Sequence, residues 1–187
     1  LQALRLENDT GLHLAAGPVT IFDSGGYAGT SRLADLPEGG AALLSYAVDL
    51  DLGVSSTREQ EPQQLVAVTL RRGTLETEVR ERVRTSYRIE PRGEPARHVL
   101  LLHPPLPGYE LVEPQGVPLE DDRYRIGVRI GDAPSGERPA HRECEAGEVC
   151  TAQVVMDRLI SRALEVASLT PEQVGFYLQN VELSDLD

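Results

Sequence analysis

The sequence predicts an all-β protein: an antiparallel β-sandwich, one large or two small, with a short C-terminal helix. Three observations predict it. From Leu75 to Ile89 the odd positions (Leu75, Thr77, Val79, Val83, Thr85, Tyr87, Ile89) are mostly apolar, while Glu76, Glu78, Arg80, Arg82, Arg84 and Arg88 charge the even ones. Alternation at period two is a strand with one dry and one wet side; a helix would scatter the same apolar residues around its circumference. Tyr124, Ile126, Val128 and Ile130 alternate with Arg123, Arg125, Gly127 and Arg129 in the same way. Turn signals recur between short β-branched runs over most of the chain.

The elements follow in order. Leu4–Leu6 and Leu12–Leu14 read as two strands around the turn-forming Asn8-Asp9-Thr10-Gly11. Val19-Thr20-Ile21-Phe22 is a strand, Asp23-Ser24-Gly25-Gly26 a hairpin turn, and Tyr27-Ala28-Gly29-Thr30 the return. Ala42 to Asp51 reads as one long strand with Leu44, Tyr46, Val48 and Leu50 on one face. The polar stretch 53–64 reads as a connector and a candidate sub-boundary within a β unit spanning 1–169. Leu65–Leu70 is a short strand, and Arg71-Arg72-Gly73 turns the chain into the long one. Pro91-Arg92-Gly93-Glu94-Pro95 ends it. His98–His103, apolar at Val99, Leu100, Leu101 and Leu102, reads as a central strand buried on both sides. Tyr109–Val112 is a brief strand, Glu120-Asp121-Asp122 an acidic turn, and the strand through Ile126 is the expected antiparallel neighbour of Leu75–Ile89. Ala152–Asp157 reads as strand, and 158–169 fits strand and helix alike. Thr170-Pro171-Glu172-Gln173 is a capping box that opens a C-terminal helix and tail over 170–187, with Val174, Tyr177, Leu178 and Val181 on one face of the helix.

Composition narrows the function classes. The 187 residues carry a net charge of −12, which argues against nucleic acid, since phosphate binding needs a basic surface. It argues equally against anionic membranes. No apolar run approaches the roughly 18 residues of a membrane span, so this segment is not expected to insert. The chain has no initiator Met and no basic n-region with an apolar h-region, and it reads as a piece of a longer protein. Every basic side chain other than histidine is arginine, and tryptophan is absent.

Gly17-Pro18-Val19-Thr20-Ile21-Phe22-Asp23, then Gly26-Tyr27-Ala28-Gly29, then Leu33-Ala34-Asp35-Leu36-Pro37-Glu38-Gly39 form an ordered set of motifs. Tyr46-Ala47-Val48-Asp49-Leu50-Asp51, Gly73-Thr74-Leu75, Tyr87-Arg88-Ile89, His103-Pro104 and Tyr109-Glu110-Leu111-Val112 continue it. The set resembles the C-terminal domain of bacterial mucoidy-inhibitor-like proteins, a domain of unknown function, over residues 4–130. The resemblance implies a β-rich module of a larger cell-envelope protein. It carries no catalytic residues to transfer, and the cysteine pair does not belong to the pattern.

The candidate sites are few. Arg80, Arg82 and Arg84, laddered beside Arg125 on the supposed neighbour, form a candidate anion- or glycan-binding face; the plainer reading is a solvated sheet face of ion pairs worth little each. Asp49 with Asp51, and Glu120-Asp121-Asp122, are candidate carboxylates for calcium or for a hydrolase's acid–base pair. No EF-type loop, Gly-x-Ser-x-Gly, phosphate-binding glycine loop or Cys-x-x-Cys is present. No catalytic residue, metal ligand or cofactor is assigned. His98 and His103 sit at odd spacing and point to opposite faces. If 146–148 is a hairpin loop, Cys144 and Cys150 lie across from each other and a disulfide is possible, which implies an oxidising compartment such as the periplasm or envelope; two free thiols are an equal alternative. Glu81, inward on the long strand, needs a partner. The expected function is a non-catalytic structural or protein-interaction module whose protein partner the sequence does not identify.

Overall fold

The computed structural model describes residues 1–92, 96–133 and 140–180, the last three of these by backbone alone. Among them the fold is all-β and sandwich-like, built of mainly antiparallel sheets and one short C-terminal helix. The chain divides into two units, Leu1–Leu52 and Gly53–Asp187.

The first unit holds β1 (Gln2–Glu7), β2 (Gly17–Asp23), β3 (Gly26–Leu33) and β4 (Ala41–Ala47). β1 pairs with β4 and β2 with β3, both antiparallel. Ser24 and Gly25, which join β2 to β3, both have positive φ (49° and 82°), as a type I′ hairpin requires. Leu33, Leu36 and Leu44 form the core, with Leu4, Leu6, Leu14, Val19 and Ala42 against it. Asn8 is 1% exposed and ties the turn down. Its amide donates to the Leu12 and Leu36 carbonyls at 2.7 and 3.0 Å, and its oxygen accepts from the Thr10 hydroxyl at 2.7 Å. Gly29 lies so close to β4 that a Cβ there would stand 2.3 Å from the Tyr46 carbonyl oxygen.

The second unit holds β5 (Leu52–Gln60), β6 (Gln64–Arg71), β7 (Thr74–Pro91), β8 (Arg97–His103), β9 (Glu110–Glu113), β10 (Leu119–Glu120), β11 (Arg123–Ile130), β12 (Arg142–Cys144), β13 (Cys150–Glu165) and α1 (Pro171–Asn180). One sheet runs β5-β7-β13-β9, with β6 also on β7; the other joins β10, β11 and β12, with β8 on β11. Type I′ turns at Arg72-Gly73 and Asp121-Asp122 close the hairpins β6–β7 and β10–β11, all four residues having positive φ. Ile89, Ile126, Val128, Ile130, Val154, Val155 and Met156 are at most 1% exposed, and each contributes about 1.5–3 kcal/mol by burial. The capping box forms: the Thr170 amide donates to Gln173 Oε1 at 2.9 Å, and the Gln173 amide to Thr170 Oγ at 3.3 Å.

Several expectations are corrected. Leu75–Ile89 does not pair with Arg123–Ile130. β7 pairs with β13 from Thr74↔Glu165 to Ile89↔Cys150, and β11 pairs with β8. Alternation reports which face is dry, not which strand lies alongside. The stretch read as a connector at 53–64 is largely β5. β4 ends at Ala47, and Val48 and Leu50 are 68% and 76% exposed. β8 pairs with β11 alone among the described residues, and Leu102 is half exposed, so it is an outer strand. Leu14 makes only an isolated bridge to Leu36. The ambiguous stretch after Asp157 stays in β13 to Glu165, then makes a 3₁₀ turn at Val166–Ser168. Positions 93–95, the Leu178 side chain and Val181 lie outside the described residues.

Candidate functional site

The rung chemistry of β7 and β13 organises the charged residues of the second unit. In their register Glu81 lies opposite Arg158, and Arg82 opposite Asp157. Successive side chains of a strand point to opposite faces, so the two ion pairs sit on opposite faces of the sheet. A one-residue slip sets Glu81 against Asp157, or Arg82 against Arg158. Like charges directly opposite destabilise a sheet pair, so this short charged stretch selects the register.

Glu81 occupies the dry face and is 6% exposed. Three neighbours solvate it. Arg158 donates from Nη2 at 2.5 Å and Nε at 3.1 Å, the Tyr109 hydroxyl donates at 3.0 Å, and Gln63 Nε2 donates at 2.5 Å. The Arg158 guanidinium also lies 4.9 Å from the Tyr109 ring centre, a cation–π contact. Arg158 above all, with Tyr109 and Gln63, holds the Glu81 carboxyl below its usual range, against burial, which pushes it up. Burial and Glu81 together push the Tyr109 hydroxyl up. A general acid at neutral pH needs the opposite shift in its carboxyl. Glu81 instead, its carboxyl held below the usual range, knots β7, β9's leading loop and β13.

On the wet face Arg82 grips Asp157 with two bonds, Nε to Oδ1 and Nη2 to Oδ2, both 2.7 Å. That fork holds the Asp157 carboxyl below its usual range. Arg80 donates to Gln64 and lies 4.0 Å from Asp157. Arg84 donates to Glu61 Oε1 at 2.8 and 3.0 Å and to Gln153 at 2.9 Å. Arg80, Arg82 and Arg84 therefore share a face; the forks of Arg82 and Arg84 are engaged by the protein's own acceptors, and Arg80 donates to Gln64 while its buried Nε has no hydrogen-bond partner among the described residues. Arg125 lies in the other sheet, beside Glu120 at 3.3 Å and Asp121 at 2.5 Å. The expected ladder of Arg125 beside the other three does not form, because β11 is not the neighbour of β7.

The candidate carboxylates fall in two separate units. Asp49 and Asp51 belong to the first unit, where Asp49 Oδ1 accepts the Asp51 amide at 3.0 Å as a local turn. Glu120, Asp121 and Asp122 form the β10–β11 turn in the second. Among the described residues no group of three or more His, Cys, Asp or Glu side chains is placed to hold a metal ion.

His103 and Tyr87 meet between the two sheets. His103 is 1% exposed, its Nδ1 lies 2.7 Å from the Tyr87 hydroxyl, and the rings stand edge to face. Burial, helped by Arg58 and Arg123, pulls its pKa down to about 4. His98, five residues earlier, is exposed on the other face, as the odd spacing requires.

Cys144 and Cys150 form a disulfide with Cα atoms 5.9 Å apart. It is not the bridge of a hairpin. Cys144 ends β12, which runs parallel to β11, and Cys150 begins β13 on β7, so the bond staples one sheet to the other. A shallow cleft of about 520 Å³ beside it is lined by charges of both signs, among them Arg129, Arg142, Glu143 and Glu148.

Arg158, Tyr109 and Gln63 were not singled out from sequence. One signal pointed to Arg158: Asp157-Arg158 repeats the acid–base order of Glu81-Arg82, as antiparallel partners must for both pairs to match. Among the described residues no helix is long and apolar enough to cross a membrane. Compared with protein-family models, curated proteins and solved structures, the chain matches none.

Proposed function

We propose that this chain is a non-catalytic structural or protein-interaction β module of a larger bacterial envelope protein. The observation that carries the reading is how the charged side chains are used. The buried carboxylate Glu81 and the arginines of β7 are engaged by Arg158, Tyr109, Gln63, Asp157 and Glu61, in pairs that join strands. A catalytic carboxylate needs a raised pKa or a free face toward a substrate, and Glu81 and Asp157 are shifted the other way. An anion bound on the arginine face would have to displace Asp157 and Glu61 from their forks. The inter-sheet disulfide supports an extracytoplasmic setting, since such bonds persist in oxidising compartments, and the motif resemblance to an envelope-protein domain points the same way.

Thermal unfolding of the purified chain with calcium, magnesium, zinc or inorganic phosphate tests the reading, run beside a panel of chromogenic ester, phosphoester and glycoside substrates. The midpoint should stay within about 1 °C of the apo value, and no substrate should turn over. Saturable stabilisation of several degrees, or turnover abolished by Asp49→Asn or Glu120→Gln, would replace this reading with the hydrolase or the anion binder.

A further inference from the structure

Among the described residues of the second unit, β5 and β8 each have an unpaired outer edge, and β5 is the longer. β5 covers Leu52–Gln60, and among the described residues its one strand partner is β7. Residues 54–60 are exposed on both faces of the sheet, Val54 at 48%. The Glu61 amide donates to the Arg82 carbonyl and Gly53 lies against Glu90, so the strands run antiparallel in one register, and in such a pair the residues bonded to the neighbour alternate with those that are not. Odd residues of β5 thus turn their backbone groups toward β7. Val54, Ser56, Arg58 and Gln60 turn theirs outward, a row of unused donors and acceptors.

Proteins blunt such edges with prolines, bulges, short strands or covering elements. Some other edges have these devices, while β8, also unpaired on its outer side among the described residues, is shorter than β5 and is followed directly by Pro104 and Pro105. β2 carries Pro18, β9 is four residues long, and β6 has a register shift after Leu65 and α1 against it. β5 carries no proline and no lysine, and Val54-Ser55-Ser56-Thr57 is uncharged and β-compatible.

Charge then narrows the occupant. Arg58 and Glu59 have no ion-pair partner among the described residues, and being adjacent they point to opposite faces. An antiparallel strand that answers both must carry a basic residue opposite Glu59 and, immediately after it, an acidic residue opposite Arg58. A second copy cannot do this in a closed dimer. The two-fold axis of a continuous sheet runs normal to it and sets residues of equal parity opposite each other, so Arg58 never meets Glu59 of the other copy. The net charge of −12 also opposes self-association.

We infer that the outer edge of β5 is a strand-addition site for an extended segment of a partner protein, bound antiparallel and carrying a basic-then-acidic dipeptide across from Glu59 and Arg58. This rests on the reading of the chain as an interaction module and names the surface that reading leaves open. Main-chain bonds would supply affinity, and the charge pair would supply direction and register.

The test is amide hydrogen exchange on the whole chain with two blocked peptides. Each is eight residues long and alternates valine with threonine, one with arginine-glutamate at its centre and one with glutamate-arginine. In the free chain the amides of Val54, Ser56, Arg58 and Gln60 should exchange as open groups. The first peptide should slow them at least tenfold at concentrations up to about 1 mM, and the second should bind about fivefold more weakly. Ser56→Pro removes an outward amide only, so it should abolish the protection without moving the thermal midpoint. Should that variant misfold, the exposed double exchange Arg58→Glu with Glu59→Arg should invert the preference between the peptides. Protection of these amides before any peptide is added, or none with either peptide, would overturn the inference. So would concentration-dependent self-association that protects the same amides. Failure here with metal and substrate inertness intact would leave the module reading standing. Turnover or metal stabilisation would end that reading whatever the edge does.

Discussion

A histidine held neutral between two sheets makes stability depend on pH. His103 is 1% exposed, and its folded pKa is pulled from 6.5 to about 4 by burial and by Arg58 and Arg123. The unfolded chain therefore binds this proton more readily than the folded one. The stabilisation is fully present above about pH 6.5 and is lost as pH falls toward 4. At about 1.4 kcal/mol per pH unit, the loss over that window is about 2–3 kcal/mol. Urea unfolding at pH 7 and pH 4.5 measures it. His103→Leu should flatten the dependence between those values, although it also leaves the Tyr87 hydroxyl without its partner. An unchanged slope would mean that other groups set the acid limb. The same buried ring was visible in the sequence only as a parity, His98 and His103 on opposite faces. Its partner Tyr87 reads in sequence as one of the apolar positions of β7, and nothing local announces that the two meet. Glu81 was legible as an oddity because it broke an apolar alternation. Its solvators Arg158, Tyr109 and Gln63 were not, because each arrives from a different strand or loop.

Elements written in local chemistry were legible, and elements that depend on distant partners were not. The three hairpin turns and the capping box are fixed by residues within four positions of one another, and each formed where Ser24-Gly25, Arg72-Gly73, Asp121-Asp122 and Thr170–Gln173 placed it. The sequence of β5 reads as a connector because it buries neither face; backbone bonds to β7 alone make it a strand. The partner of β7 lies about as far along the chain as the chain allows, and β11 offered an equally good alternation. β12 is three residues long, too short to carry a pattern, yet it bears Cys144. The disulfide compensates for that brevity by fixing β12 to the start of β13. With a sequence separation of six, loop-closure entropy alone assigns the bond about 2 kcal/mol. Reduction by dithiothreitol should lower the unfolding free energy by that amount and deprotect the amides of β12 first. Equal stability of the reduced and oxidised chains would show that the packing of β12 stands without it.

At the scale of the whole molecule, an acidic chain with 18 arginines uses Arg82, Arg84 and Arg158 of its second unit as fasteners between strands. Exposed pairs of this kind are worth little, but Arg82 and Asp157 are mostly buried side chains, 24% and 14% exposed, joined by two bonds. They sit on neighbouring rungs to Glu81 and Arg158, near the middle of the longest strand pair in the protein. The charges of the central ribbon hold its strands in register. A double-mutant cycle tests this most directly. Arg82→Asp alone and Asp157→Arg alone should each cost about 1–3 kcal/mol, since each sets like charges across one rung. The double exchange should recover most of that loss, with a coupling of about 1–2 kcal/mol. Additive losses, with coupling below about 0.3 kcal/mol, would contradict the account and show that the ribbon is aligned by its apolar face alone.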